Sequence, residues 1–383
     1  MEILLWSLVG LVCYAYAGYP CLLAAVGSVR SRRITFAPIQ PAVTVIIAAF
    51  NEEKDIARKL EMVLALNYPA ERRQIIVASD CSTDGTHDIV KGFAARGVEL
   101  VVLPARGGKT AAQNLAVLQA RGDILLFTDA TTDIAPNAVH KLVEPFADSR
   151  VGCAGAQLEY QSAAGTAVGR GGGLYWRYEK LVKELESRAN SLIGVSGCLY
   201  AVRRALYVPI AHDLISDLVI ALDIFSGGHV SVYVPAAVAF EQTHERADRE
   251  FSMRSRVVVR SINALVQRAR LLNPLQAGFF ALQLWSHKVL RYLVPELLIV
   301  VLLLSIWLAF QATPRAQFYQ WFAGLQLLLY VAAPAVYVFC RRFNIRTGVL
   351  SVPFYFTLAN AAALWGFITY LRGSREVTWT TVR

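Results

Sequence analysis

Two charge-free or nearly charge-free apolar blocks bracket the chain, and they limit what it can fold into. Residues 3–29 hold no charged side chain, a run longer than the roughly 20 residues that cross a hydrocarbon core. Three more apolar stretches follow near the other end, at about 292–310, 318–340 and 349–371. The residues between the blocks have ordinary soluble composition, so the surplus behind an apolar content of 55% is concentrated at the two ends. That distribution predicts a cytoplasmic domain held between membrane segments.

Charge around the apolar blocks gives an orientation. Glu2 precedes the first block, no Lys or Arg does, and Arg30, Arg32 and Arg33 follow it. Ala15, Tyr16 and Ala17 imitate a signal-peptidase site, but the apolar run continues past them. The reading is an uncleaved anchor with its N-terminus outside and the next domain in the cytoplasm. Arg341, Arg342 and Arg346 lie inside if the first two C-terminal stretches form a hairpin. A full crossing by the third leaves Arg372, Arg375 and Arg383 outside, against the charge rule, and Pro353 permits a re-entrant form instead. Residues 274–291 mix Phe279, Phe280, Leu282, Leu284, Trp285, Val289 and Leu290 with Gln283, His287, Lys288 and Arg291. This mixture predicts an amphipathic helix at the membrane interface, or else a helix packed on the soluble domain. The expected organisation is an anchor over 1–33, a soluble domain over 40–272, the interfacial helix over 274–291, membrane helices over 292–371 and a tail over 372–383.

The net charge of +10 admits nucleic acid, membrane or an anionic substrate as its cause. No basic run long enough for a nucleic-acid arm is present, and the apolar blocks favour the membrane. The six cysteines form no CxxC pair, so neither a disulfide framework nor a zinc site is expected.

Within the soluble part, VTVIIAA at Val43–Ala49 is short, β-branched and almost wholly apolar, as suits a central parallel strand. Further strands are expected at 74–79, 98–103 and 123–128. Helical spacing occurs over 52–66 (Ile56, Leu60, Val63, Leu64), from Asp84 onward, and over 109–119. Strand–helix alternation at this spacing predicts a doubly wound α/β sheet, whose ligands bind beyond the carboxyl ends of the strands. Those ends carry Phe50, Asn51 and Glu52; then Asp80 to Asp84; then Arg106, Gly107, Gly108 and Lys109; then Asp129 to Asp133. Each alone has an ordinary role open to it: Asp84 can cap its helix, and Lys109 can be solvated. Carboxylates at three strand ends repel unless a cation or donor joins them, which argues for a nucleotide and a divalent metal. The Gly107–Gly108 stretch matches neither a Walker A loop nor GxGxxG.

The motifs AAFNEE, SDCSTDGT, GGKTAAQN and FTDATTDIAPNAV, followed by YWRYEKLVKELESR, VSGCLYAVRR and ISDLVIALDI, resemble family-two glycosyltransferases of the GT-A fold. The resemblance runs over about 41–291 and is to the membrane-bound, processive-type branch of polysaccharide, hyaluronan, cellulose and poly-N-acetylglucosamine synthases. It implies a mostly parallel GT-A sheet. It also implies inverting transfer from a UDP-sugar to a polysaccharide or glycan acceptor, or to a membrane lipid, on the cytoplasmic face of a bacterial inner membrane, with Mg or Mn as cofactor and no nucleic-acid partner. A non-catalytic nucleotide- or glycan-binding scaffold is the rival from another class. By the same resemblance Phe50, Asn51 and Glu52 hold the nucleoside, Asp80 binds the uracil, and Lys109 faces the donor. Asp129 is the metal carboxylate; Ser196, Gly197 and Cys198 form the acceptor-side loop; Asp217 is the base; Arg256 matches the arginine of Q-x-x-R-W. Three departures stand out: Thr131 in place of the second DxD carboxylate, Ser216 before Asp217, and Met253 and Val257 in place of the Gln and Trp. Asp133 or His244 can assist the metal, although His244 also reads as an ordinary surface histidine.

Overall fold

The computed structural model describes residues 1–29, 33–161, 167–242, 247–342 and 351–373. Arg30, Arg32, His244, Arg346, Arg375 and Arg383 lie outside them.

One eight-stranded sheet organises the soluble part. Its strands are β1 (Val43–Ala49), β2 (Arg73–Ser79), β3 (Val98–Val102), β4 (Ile124–Asp129), β5 (Asp133–Ile134), β6 (Val151–Gln161), β7 (Leu199–Arg203) and β8 (Val230–Gln242). Their order is β3-β2-β1-β4-β7-β6-β8-β5. The pairs β1–β2, β1–β4, β2–β3 and β6–β8 are parallel, whereas β7 runs antiparallel to both β4 and β6. The expected α/β architecture is present, and the first four strands fall within a residue or so of their expected bounds. The antiparallel β7 and the strands around it carry no periodic signal that separates them from their surroundings.

Every residue of β1 is buried, because both sheet faces are covered. Val45 and Ile47 pack with Ile56, Leu60 and Val63 of the Ile56–Leu64 helix and with Leu142 on one face. Ile46 packs with Ala112, Ala116, Val219 and Leu222 on the other. Full burial of such side chains contributes about 1.5–3 kcal/mol each.

Three helices among the described residues are long and apolar enough to cross a membrane: Glu2–Val29, Phe279–Ala309 and Val352–Leu371. A further helix, Ala316–Arg342, packs on the second of these. Of the expected amphipathic segment, Pro274–Ala277 is a short turn of helix that stops at Gly278, whose φ is +55°. Helix then runs from Phe279 without interruption to Ala309. The break falls at the residue that adopts a left-handed conformation without steric penalty. Leu5 packs with Leu308, Ala309 and Tyr319, and Arg315 pairs with Glu2 at 2.7 Å. The first and second spans are therefore antiparallel, with their other ends against the domain. There Tyr19 and Leu23 pack on Val182 and Ala189 of the Ala167–Ala189 helix. The third span lies along the Ala247–Gln267 helix, so close that a methyl on Gly366 would sit 2.8 Å from the Ser255 carbonyl oxygen.

Candidate active site

The parallel register brings the strand ends flush. Ala49 stands opposite Ser79, and Ala48 opposite Asp129. Beyond them Asn51 and Cys81 adopt left-handed backbone angles, φ +53° and +59°, a conformation uncommon outside glycine and concentrated at functional turns. The two turns are laced together. Thr83 N donates to Asn51 Oδ1 at 2.8 Å, Asn51 N to Ser82 Oγ at 3.1 Å, and Glu52 N to Thr86 Oγ1 at 2.9 Å. Asp84 accepts from Glu53 N and Thr86 N at 3.2 and 3.0 Å. These bonds outweigh its desolvation and hold its carboxyl below the usual range. Asn51 and Asp84 thus shape the rim of the site.

Asp80 is fully buried. Its Oδ1 accepts from Gly107 N and Gly108 N at 2.7 and 2.9 Å, so it fixes the turn before the Lys109–Leu118 helix. Its Oδ2 is buried without a hydrogen bond, with Arg106 Nε 3.8 Å away. The Arg106 guanidinium in turn lies 3.8 Å from the centroid of the Phe50 ring. An aromatic face, a flat cation upon it and a buried carboxylate oxygen without a hydrogen bond beside it are groups that can stack on and hydrogen-bond a flat heterocycle.

Lys109 joins this side to the rest. Its Nζ pairs with Asp129 Oδ1 and donates to Gly197 O at 3.1 Å. Burial alone would lower Lys109; the charges of Asp129 and Asp217 and the hydrogen bond to Asp129 override it and lift the ammonium above its usual range. Gly197 also abuts the base candidate, since a methyl on its Cα would meet Asp217 Oδ2 at 3.0 Å. Asp217 sits in the first turn of the Ser216–Ser226 helix, and its backbone oxygen accepts from Val195 N at 3.1 Å. No donor among the described residues hydrogen-bonds its carboxylate. Asp223, on the same helix, accepts both Nε and Nη2 of Arg268, at 2.6 and 2.8 Å. Asp217 and Asp223 thus differ in engagement, Asp223 being committed to an ion pair with Arg268. Arg256 lies on the Ala247–Gln267 helix one turn before Arg260, which donates to Thr110 Oγ1 and Leu214 O. Positions four apart share a helix face, so Arg256 belongs to the face turned toward the Lys109 end. The structure thus gathers Lys109, Asp129, Gly197 and Asp217 directly, with Asp80 and Phe50 on the far side of the Gly107–Gly108 turn.

Two residues that the sequence pattern did not single out complete the floor. Lys59 is 0% exposed and donates to Thr128 Oγ1 at 2.9 Å and to Thr132 O. Two acceptors match the two N–H groups of a neutral amine, and burial brings Lys59 down to about 7 against the pull of Asp129 and Asp133. Its signal was a lysine on the apolar face of the helix bearing Ile56, Leu60 and Val63. Glu241, at the end of β8, accepts from Cys198 Sγ at 2.9 Å. Burial raises its carboxyl, with a further push from Asp129.

No group of three metal-ligating side chains converges among the described residues. Asp133 is engaged with Arg58, and Thr131 is exposed. Asp129 is therefore a single-carboxylate position, which fits a divalent cation when a ligand's phosphate oxygens complete the shell.

Residues 44–208 match the model of the glycosyl transferase family 2. The chain carries a family 2 glycosyltransferase domain. The chain is 27% identical over 220 residues to the probable glycosyltransferase YdaM of Bacillus subtilis, covering 54% of this chain and 51% of that protein. It is 24% identical over 205 residues to the poly-beta-1,6-N-acetyl-D-glucosamine synthase of Staphylococcus aureus, covering 52% and 49%. A 116-residue stretch is 31% identical to the beta-monoglucosyldiacylglycerol synthase of Synechocystis, covering 29% and 24%. The chain thus spans about half or less of the length of these relatives. In fold it is similar to the mannosyltransferase PcManGT of Pyrobaculum calidifontis, solved with GDP-Man and Mn2+, with a TM-score of 0.71 and 21% identity over 97% of this chain and 99% of that one. The transferase domain therefore has the GT-A-like, mostly parallel sheet expected of it.

The buried lysine of this domain has a measurable consequence. A folded-state value near 7 against about 10.4 when unfolded means that the unfolded chain binds more protons between those values. Stability should rise with pH across that window, and Lys59→Met should lose that part of the rise. Denaturant unfolding of the detergent-solubilised protein at several pH values, compared between the two chains, reads the difference directly.

Proposed function

We propose that this protein is an inverting glycosyltransferase that moves a sugar from a UDP-sugar to a glycan or polysaccharide acceptor at the cytoplasmic face of a bacterial inner membrane. The observation that carries the reading is the Lys109–Gly197–Asp217 arrangement: a donor-side cation and an unpaired carboxylate meet at one glycine. Phe50 and the unmatched Asp80 Oδ2 take the base, with Asn51 and Glu52 shaping the turn that holds it. Asp217 accepts the proton of an acceptor hydroxyl lying along Ser196, Gly197 and Cys198, as a general base. Lys109 and Arg256 stand where charge grows on the departing diphosphate. A divalent cation held by Asp129 and the diphosphate would neutralise that charge further. A lipid acceptor is the second reading, favoured by the packing of the Ala167–Ala189 helix, which bears Lys183 beside Ser196, against the first and second spans.

Purified protein tested against a panel of UDP- and GDP-sugars should release nucleotide from one of them. With that donor, Asp217→Asn should keep nucleotide affinity within a few fold and lose transfer by about 10² or more, the scale of a general base. Asp223→Asn should keep most of it. Near-normal turnover in Asp217→Asn removes this residue from the mechanism.

Metal dependence is a separate expectation. Asp129→Ala should abolish transfer, and chelation should do the same to the wild type until Mg or Mn is restored. Full activity in excess chelator would refute it.

The cytoplasmic placement rests on Arg30, Arg32 and Arg33 after the first span. A cysteine at Asn137, which is exposed, should resist an impermeant thiol reagent in intact cells and react after lysis. Reaction without lysis reverses the orientation.

A further inference from the structure

The seam between the transferase domain and the second span is charged. Glu179, Lys183 and Glu186 are spaced four and three apart on the Ala167–Ala189 helix and share a face. Opposite them the second span makes a π-helical turn, Trp285–Val289. A π-turn widens the helix by one residue and often marks a functional position. Here Gln283 and His287 are buried against the domain, and Ser286 against Tyr14 of the first span. His287 Nδ1 lies 2.7 Å from Glu186 Oε1, and its Nε2 lies 3.4 Å from Glu179 Oε2. Arg291 donates to Glu179 Oε1 at 2.6 Å, and Tyr19 of the first span to Glu186 Oε1 at 2.5 Å.

Two ammonium groups at this seam form no ion pair of their own: the charge of Glu179 reaches both, but its oxygens are engaged by Arg291 and His287. Lys183 Nζ donates to Ser196 Oγ at 2.8 Å, and Ser196 precedes the Gly197 that abuts Asp217. Lys288 follows His287 directly and makes no hydrogen bond or ion pair with any described residue. Among the described residues no carboxylate oxygen comes within ion-pair distance of either lysine. Both are half-buried, Lys288 acts on Lys183 as a like charge, and both feel the negative charges of Glu179 and Asp217. Two partly desolvated ammonium groups within electrostatic reach of each other are stabilised by an anion placed between them. An anion placed there would touch the acceptor loop on one side and the second span on the other.

We propose that Lys183 and Lys288 form an anion subsite on the membrane side of the acceptor cleft. It would hold a phosphate group carried by the acceptor, next to the oxygen that reacts. A compact ammonium pair suits a tetrahedral phosphate as point charges do. The span that supplies Lys288 places the subsite where a lipid headgroup would present such a group; a soluble phosphate ester has the same chemistry.

The test uses the full chain in a neutral maltoside micelle and measures binding of three probes: dihexanoyl phosphatidic acid, dihexanoylglycerol and glycerol 3-phosphate. The wild type should prefer phosphatidic acid to dihexanoylglycerol by about tenfold or more, the scale of one charge-assisted contact. Lys183→Met with Lys288→Met should abolish that preference, and Lys183→Arg with Lys288→Arg should keep it. Lys141→Met, a lysine paired with Glu144, should change nothing. Glycerol 3-phosphate binding as tightly as phosphatidic acid would assign a soluble ligand, and weaker binding a lipid one; either supports the subsite. Equal affinities in the wild type and the Met pair overturn it. So does an Arg pair that unfolds at the wild-type temperature yet binds like the Met pair. The word acceptor rests on the transferase reading. Nucleotide release is measured on the wild type alone, so its failure removes that reading while the binding comparison still decides the subsite.

Discussion

The alignment of β1 with β2 and β4 is the constraint from which the site follows. Parallel pairing on both sides of β1 puts Ala48, Ala78 and Asp129 at one level. The chain leaves all three strands at the same edge. Slipping either neighbour by one residue would turn its buried side chains to the opposite face. The apolar filling of both faces therefore fixes the register, and the register brings Asp80 and Asp129 to one rim. Stability of the core and geometry of the site are set by the same set of contacts.

What the sequence disclosed follows the same division. β1, β2 and β4 are legible because a strand buried on both faces reads as a largely apolar run, the edge strand β3 because it is β-branched between turns, and the polar residues that end each run mark the rim. The C-terminal half of the sheet was not legible. β6 and β8 mix small and polar residues, and β7 is five residues long and antiparallel. The roles of Lys59 and Glu241 are tertiary: one is a charge on an otherwise apolar helix face, the other a carboxylate ending a strand. Neither reveals its neighbours until Thr128, Thr132 and Cys198 are seen beside them. The motifs pointed to Lys109 and Asp217 as separate groups. That they meet at Gly197 depends on β7 entering between β4 and β6.

The seam between domain and spans works on another principle. Glu179 and Glu186 are both buried, and desolvating carboxylates is unfavourable unless donors surround them. Arg291, His287 and Tyr19 supply donors from two different spans. The bonds of the neighbouring arginine and histidine hold Glu179 well below the ordinary carboxylate range in spite of its burial. Such a network adds little net stability over an apolar packing of the same volume, but it tolerates only one arrangement. It thereby fixes the rotation of the spans about their own axes relative to the Ala167–Ala189 helix.

Gly197 has a consequence beyond its contacts. Its carbonyl restrains Lys109, its neighbour Ser196 restrains Lys183, and its Cα leaves no space between itself and Asp217. A ligand that draws Lys109 toward itself releases that carbonyl and alters the footing of Ser196 by the same displacement. Thermodynamic linkage makes such an effect reciprocal: whatever free energy one ligand contributes to the affinity of the second, the second returns to the first. A three-residue segment without regular structure would thus act as a lever, and the order in which two substrates arrive becomes a property of a single peptide unit.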